Sequence, residues 1–387
     1  MLMHPPRALY IHIPFCAQRC HYCDFNTYAL AGQPVDAYLE ALEREMERTV
    51  EALPPEKIDT VFVGGGTPTV LTPAQMARLL GAVRRWFPVA PDAEITVEAN
   101  PGTVGPELLA LMREGGVNRI SFGVQAFDDA LLRRLGRMHD TADAYRSVAL
   151  AREAGFANIS IDLMFGLPGQ TMDMLADSVR RAVELDLPHY SLYALKIEEN
   201  TLFHTLHERG ELPLSGEEEE LHMYLHIMER LEAAGRRQYE ISNFALPGYE
   251  SRHNMTYWRN EPYYGIGAGA HGYARGVRHV NIRGVTPYIE AARERLPRLT
   301  EEPVSEEEAM EDFMMVGLRM RDGVRDDDFA AQFGGRSIDD VFGGVIARLR
   351  DAGLLERRPD GAGWRLTDRA IPVGNEVFGA FVGALSE

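Results

Sequence analysis

Cysteine is almost missing from this sequence: 387 residues hold three, all inside the run Cys16-Ala-Gln-Arg-Cys20-His-Tyr-Cys23. With none elsewhere to pair with, a disulfide framework is excluded and a reducing, cytoplasmic setting is expected. Positive charge is also short. Forty Lys and Arg against 58 Asp and Glu give a formal charge of −18, which opposes non-specific attraction to nucleic acid or to an anionic membrane surface. No segment approaches the uninterrupted apolar span of about 20 residues that a transmembrane helix needs, and the opening Met1-Leu-Met-His-Pro-Pro-Arg7 lacks the apolar stretch of a leader. Low-complexity tracts and internal repeats beyond a βα period are absent too. With 45% hydrophobic residues, the length is enough for one large domain plus a smaller one.

What is present begins with alternation. Six β-branched or aromatic stretches, at residues 8–13, 60–64, 94–99, 118–124, 158–164 and 189–195, alternate with amphipathic stretches at 35–53, 73–86, 105–113, 141–154 and 172–185. This is the pattern of repeated βα units around a parallel sheet, and six units predict an incomplete barrel. Thr72 and Thr141 are expected helix caps. Period-two geometry puts Thr96, Glu98 and Asn100 on one face of the third strand, Ser121, Gly123 and Gln125 on one face of the fourth, and Ser160 and Asp162 on one face of the fifth. Each polar stripe ends near the C-terminal end of its strand, where barrels and open α/β folds place ligands.

Beyond residue 200 the pattern becomes helical, with Glu217 to Glu220 as a solvated helix start. An aromatic, glycine-rich region follows from Tyr239 to Tyr273. Residues 298–304, rich in Pro and Glu, are expected to be a linker. Helices and two short strands about Pro359-Asp-Gly361 then predict a winged-helix-like module. The expected domains are thus 1–240, 241–297 and 298–387. Arg348, Arg350, Arg357, Arg358, Arg365 and Arg369 lie in the last, but Asp339, Asp340, Asp351, Glu356 and Asp360 interrupt any coherent positive face, so a packing or partner-docking module is expected and not a nucleic-acid reader.

Three thiolates in C-x3-C-x2-C, on the loop where Pro14 ends the first strand, point to one metal centre. A structural zinc takes four protein ligands, whereas a 4Fe–4S cluster held by three leaves one iron open to another ligand. Two readings stay beside the cluster: a zinc knuckle completed by His12, His21 or Asp24, and three buried thiols without a metal. Gly64-Gly-Gly-Thr67 after the second strand permits close backbone approach to a ligand, or is simply a tight βα turn. Gly166-Leu-Pro-Gly-Gln-Thr171 has the same two readings.

C-x3-C-x-aromatic-C after a first strand resembles the radical S-adenosylmethionine (SAM) superfamily, which implies a partial (βα)6 TIM-like barrel, a 4Fe–4S cluster on Cys16, Cys20 and Cys23, and SAM chelated at the open iron. Such a cofactor carries its own chemistry while the protein supplies position and excludes water. Resemblance to the coproporphyrinogen-dehydrogenase branch implies cofactor contacts from Tyr10, Tyr22, Gly65, Gly66, Thr67, Glu98, Gln125, Arg137 and Asp162. Tyr22 would lie against the adenine, carboxylates would suit ribose hydroxyls, and Arg137 would pair with the methionine carboxylate or with Asp162. For each buried charge the alternative is an internal ion pair that holds the barrel.

Two features depart from that dehydrogenase: Phe25 stands where it carries a fourth cysteine, and the chain begins almost at the first strand, without its N-terminal extension. His253-Asn254-Met-Thr-Tyr257-Trp258 instead matches the HNxxYW motif of the HemW heme chaperones. There His253 would be an axial heme ligand and the Tyr-Trp pair flat apolar area for a porphyrin, or the motif is a capped turn with core aromatics. Gly265 to His271 resembles the same families. The resemblance implies a heme chaperone rather than an enzyme, delivering heme to an acceptor hemoprotein, a respiratory one among the candidates, with an electron donor for its cluster and a homodimeric state. The alternative is a porphyrinogen-oxidising or heme-modifying radical-SAM enzyme.

Overall fold

The computed structural model describes residues 5–385; Met1 to His4, on which the reading of a leaderless N-terminus partly rests, fall outside them. Six parallel strands run in sequence order: β1 (Ala8–Ile13), β2 (Ile58–Gly65), β3 (Val89–Ala99), β4 (Arg119–Gln125), β5 (Asn158–Phe165) and β6 (His189–Ala194). Between them lie α1 (Val35–Ala52), α2 (Pro73–Trp86), α3 (Pro106–Glu114), α4 (Asp129–Arg134), α5 (Thr141–Glu153) and α6 (Met172–Glu184). The apolar alternate residues of the strands, such as Ile11, Val61, Val97, Ile120 and Ile161, are buried under these helices in one continuous core. The polar stripes are thereby left on the concave face, which is what period-two alternation demands.

Local chemistry explains the element ends. Thr72 caps α2 in a capping box with Gln75, and Pro73 occupies the first helical position. For α5 the cap is Asp140, not Thr141, with Asp143 completing the box. A carboxylate is the better acceptor for the first-turn N–H groups, so the helix starts one residue earlier than a Thr141 cap would place it.

The sheet extends further than six strands. It also takes in β7 (Arg237–Glu240), β8 (Asn243–Ala245), β9 (Tyr263–Ile266), β10 (His271–Ala274), β11 (Val277–Asn281) and β12 (Arg298–Pro303), in the order β12-β11-β10-β9-β1-β2-β3-β4-β5-β6-β8-β7. Strand β9 is parallel to β1, with Ala8 opposite Tyr263, so seven parallel strands form the open barrel and antiparallel wings flank it. The 298–304 stretch read as a linker is largely β12, paired with β11. Its Glu301 and Glu302 are exposed, as an edge strand requires.

Helices α7 (Leu202–Glu208) and α8 (Glu217–Ala233) follow β6, α9 (Arg252–Trp258) precedes β9, and α10 (Val285–Glu294) packs on α1. A second apolar core starts at Ala309. It joins α11 (Glu306–Gly317), α12 (Asp326–Gln332) and α13 (Ile338–Asp351) to a three-stranded sheet of β13 (Val324–Arg325), β14 (Leu355–Arg357) and β15 (Gly363–Leu366), with β15 in the middle. Three helices and a small antiparallel sheet make the winged-helix-like module. Its arginines are largely engaged: Arg357 with Asp326 and Asp339, Arg358 with Asp360, Arg365 with Glu356, Arg350 with Asp351.

Candidate functional site: the cluster loop and the barrel mouth

Pro14 ends β1 and the chain turns into the cysteine loop. Residues Phe15–Cys16 pair with Tyr28–Ala29, which closes the base of the loop. Its tip is fastened to the segment after α4: His21 N–H donates to Leu135 O, and Gln18 Nε2 to Gly136 O at 3.1 Å. On the other side Phe203 N–H donates to His21 O. Cys16 is buried while Cys20 and Cys23 are partly open.

Cys16 and Cys20 face hydrogen-bond donors. Thr67 Oγ1 donates to Cys16 Sγ at 3.5 Å and Arg137 Nη1 to Cys20 Sγ at 3.4 Å. A Cβ on Gly66 would come within 3.0 Å of Cys16 Sγ, so only glycine fits there. Gly65 takes φ +112°, and a Cβ there would strike the His12 ring at 2.6 Å. Burial raises the Cys16 thiol and pushes Cys23 up to about 11, and the charges of the neighbouring thiols add to both shifts. Such a set ionises together only against positive charge, which a metal centre supplies. The donor set and its glycine cradle therefore fit an iron–sulfur cluster. His12 is committed elsewhere, through Nδ1 to Tyr10 and Nε2 to Asn26 O. Among the described residues no three His, Cys, Asp or Glu side chains converge on a single ion.

Around this loop the strand ends gather most of the residues expected at a cofactor. Glu98 Oε2 accepts the Gly65 N–H at 3.1 Å. Asn100 donates to Thr67 Oγ1 at 2.8 Å and accepts from Arg137, whose guanidinium also reaches the Gly123 carbonyl. Gln125 sits at a bulge between β4 and β5 with φ +72°, a left-handed conformation that re-aims the strand end. Asp162 accepts from Ser121 at 3.2 Å, is bonded by Ser191, and makes no ion pair with Arg137. Tyr22 meets Arg137 and packs at 6.4 Å from Phe203. Burial, reinforced by the charge of Asp162, pushes Glu98 up to about 7. Sequence reasoning put Asn100 on this face without giving it a part. It is the residue that ties Thr67 to Arg137.

The HNMTYW residues lie elsewhere. They form α9, whose N-terminal N–H groups at Arg252 and His253 bind the Glu94 carboxylate at 3.0 Å. His253 is fully buried against the start of β2, with Nδ1 on Thr60 Oγ1 and Nε2 on Tyr257 OH, both at 2.9 Å. Thr60 precedes Gly65 by five residues, or about 17 Å of strand. In this conformation neither ring nitrogen of His253 is open to a metal. Its ring stacks on Phe62 at 5.2 Å, Phe62 stacks on Tyr10 at 6.2 Å, and Tyr10 bonds His12, so an aromatic column joins the barrel floor to the glycine cradle. Asn254 N–H is capped by Ser251. Trp258 carries the Arg319 guanidinium over its ring at 4.4 Å, joining the motif to the C-terminal module.

A partial barrel with three thiols and a glycine cradle at its C-terminal mouth has the architecture of a radical SAM protein. The model of the radical SAM superfamily matches residues 10–182, and that of the HemN C-terminal domain residues 304–373. The fold resembles coproporphyrinogen III oxidase (HemN) from Escherichia coli, a radical SAM enzyme, with a TM-score of 0.85 at 24% identity over 97% of this chain and 90% of that one. The chain belongs to the HemW family of heme chaperones. It is 47% identical to heme chaperone HemW of Bacillus subtilis over 98% of this chain and 100% of that one. The HemW of Lactococcus lactis is 42% identical over 98% of each chain, and that of E. coli 45% identical over 70% of this chain and 71% of its own.

Proposed function

We propose that this chain is a heme chaperone that binds heme and passes it to an acceptor hemoprotein. The observation that carries the reading is the end-to-end likeness to a relative named for that activity. Phe25, which stands where a fourth cysteine was expected for the dehydrogenase, is 63% exposed beside the cluster loop. Cys16, Cys20 and Cys23 would hold the 4Fe–4S cluster, and Tyr10, Tyr22, Gly65, Gly66, Thr67, Glu98, Gln125, Arg137 and Asp162 would hold SAM. When bound, that pair supplies reductive cleavage of a sulfonium. The chain's own part is positional. Gly65 and Gly66 let the ligand approach backbone, Glu98 and Asp162 offer acceptors for hydroxyls, Arg137 offers a cation to a carboxylate, and Thr67 and Arg137 donate to cluster sulfurs.

A respiratory acceptor, an external electron donor, assembly as a homodimer and a cytoplasmic location belong to the same proposal; no helix among the described residues is long and apolar enough to cross a membrane. The HNMTYW motif would serve as a joint between barrel floor and C-terminal module, and a ligand role for His253 would require it to leave Thr60 and Tyr257. The decisive experiment incubates heme-loaded chain with an apo-hemoprotein and, separately, cluster-loaded chain with SAM, reductant and coproporphyrinogen III. Heme transfer without porphyrinogen turnover is expected. Turnover to protoporphyrinogen IX would replace the chaperone with the enzyme.

A further inference from the structure

Cargo that comes and goes needs an iron ligand whose ring nitrogen solvent can reach. His12, His189 and His253 have both nitrogens hydrogen-bonded. His139 and His279 are buried, and His204 faces Glu208. His21 differs from all of these. Its Nδ1 lies 2.9 Å from Arg134 O, and a carbonyl can only accept, so Nδ1 carries the proton and Nε2 the lone pair. Among the described residues Nε2 has no hydrogen-bond partner, and it is not one of the atoms closed off from solvent. The ring is fixed between Phe203, at 6.1 Å, and Gly136, where φ is +73° and a Cβ would come within 2.7 Å of the ring. An imidazole whose second nitrogen is pinned to a backbone carbonyl is the usual arrangement of a metal-ligating histidine. His207, His222, His226 and His271 also have open nitrogens, but no carbonyl orients their rings.

The segments that hold His21, and its own loop, carry exposed apolar side chains. Met138 is 69% and Leu202 46% exposed, beside the exposed Phe25. Phe25 lies two residues after Cys23, Met138 follows the Arg137 that touches Cys20, and Leu202 precedes the Phe203 that binds His21 O. Exposed apolar side chains on segments that converge on one histidine suit an apolar ligand. Two cations lie on neighbouring segments. Arg19 lies in the cluster loop, and Lys196 sits between Leu195 and Ile197, which pack in the same small apolar cluster as Tyr22 and Phe203. Neither makes an ion pair among the described residues.

We propose that His21, through Nε2, is an iron ligand for heme held at the barrel mouth, with the macrocycle over Phe25, Met138 and Leu202 and the propionates toward Arg19 and Lys196. This rests on the heme-chaperone reading. Hemin is titrated into the full, cluster-loaded chain and the Soret band followed. His21→Ala is expected to raise the hemin Kd by about tenfold or more and to shift the Soret band, and added imidazole to restore the band, with cluster iron and sulfide unchanged. Met138→Glu and Leu202→Glu, away from the thiols, should weaken binding without moving the band, and they carry the test if His21→Ala loses its cluster. Wild-type affinity and spectrum in His21→Ala overturn the ligand assignment, and so does loss of the imidazole-ligated spectrum in His253→Ala alone. Unchanged affinity in both glutamate variants overturns the apolar seat. A wild-type chain that takes up no hemin overturns the chaperone reading itself.

Discussion

Gly66 stands directly over Cys16: a Cβ at position 66 would lie 3.0 Å from the Cys16 sulfur and 2.6 Å from the Phe15 carbonyl oxygen. The second contact is with backbone that is already paired to Tyr28–Ala29, so it cannot swing aside. Gly66→Ala is therefore expected to displace Cys16 and cut the iron held after anaerobic reconstitution well below the about four per chain of a 4Fe–4S centre. Gly81→Ala, where a Cβ meets nothing within 4 Å, should leave iron content unchanged. Equal iron in both variants would show that the cradle tolerates a side chain.

Glu98 makes the site sensitive to pH. Burial and the nearby charge of Asp162 hold its pKa at about 7, above the ordinary carboxylate value. A carboxyl whose folded pKa is raised stabilises the fold below the unfolded pKa, and that contribution is lost as pH rises through the folded value. Apo-protein stability should thus fall between about pH 4.5 and 7.5 by about 2 kcal/mol, allowing for screening at the partly open edge of the residue. Glu98→Gln should remove that slope in urea titrations at a series of pH values. SAM affinity should run the opposite way, rising through neutral pH as the acceptor ionises, and be flat in the variant. A wild-type stability profile flat over this interval would put the Glu98 carboxyl in contact with water.

The six strands and the polar stripes were legible because strict alternation and β-branched residues both follow from lying between helices and a polar lumen. Strand β9 and the antiparallel wing were not. Gly265 and Gly272 sit there because a Cβ on Gly265 would fall 1.7 Å from His271 O and one on Gly272 would strike His279, so close packing of two strands has removed the side chains that mark a strand. The 298–304 segment misled for the complementary reason: an exposed edge strand carries the composition of a linker. The cysteine loop could be read from spacing alone, but the strap between His21, Arg134 and Leu135 joins residues more than a hundred positions apart, and no local pattern encodes it.

His253 should behave as part of the barrel floor. It is enclosed, bonded at both nitrogens and stacked on Phe62, and burial lowers its pKa to about 3. His253→Ala opens a cavity and strands Thr60 and Tyr257, an expected loss of about 3 kcal/mol in heme-free protein. A histidine held neutral in the fold protonates first in the unfolded chain, so its contribution is complete above about pH 6.5 and declines as pH falls toward 3. Wild-type denaturation midpoints in His253→Ala without heme would show that the residue is kept for something other than packing.

The joint between barrel and C-terminal module turns on Arg319. Its guanidinium lies over Trp258 at 4.4 Å and Phe378 at 5.7 Å, and pairs at 3.5 Å with Glu240, whose side chain is wholly buried. Glu240 also accepts from Ser242 N–H and from Asn243. These bonds satisfy its lone pairs but do not balance its charge. Removing the arginine leaves a buried carboxylate beside an uncovered indole, so Arg319→Met should cost about 3 kcal/mol or more. It should also speed amide exchange in α9, whose Trp258 loses the guanidinium over its ring. Adding Glu240→Gln to Arg319→Met removes the stranded charge and should recover much of the loss, whereas Glu240→Gln alone forfeits the pair. Strict additivity of the two substitutions in chemical denaturation would mean that Arg319 holds the module through its aromatic contacts alone.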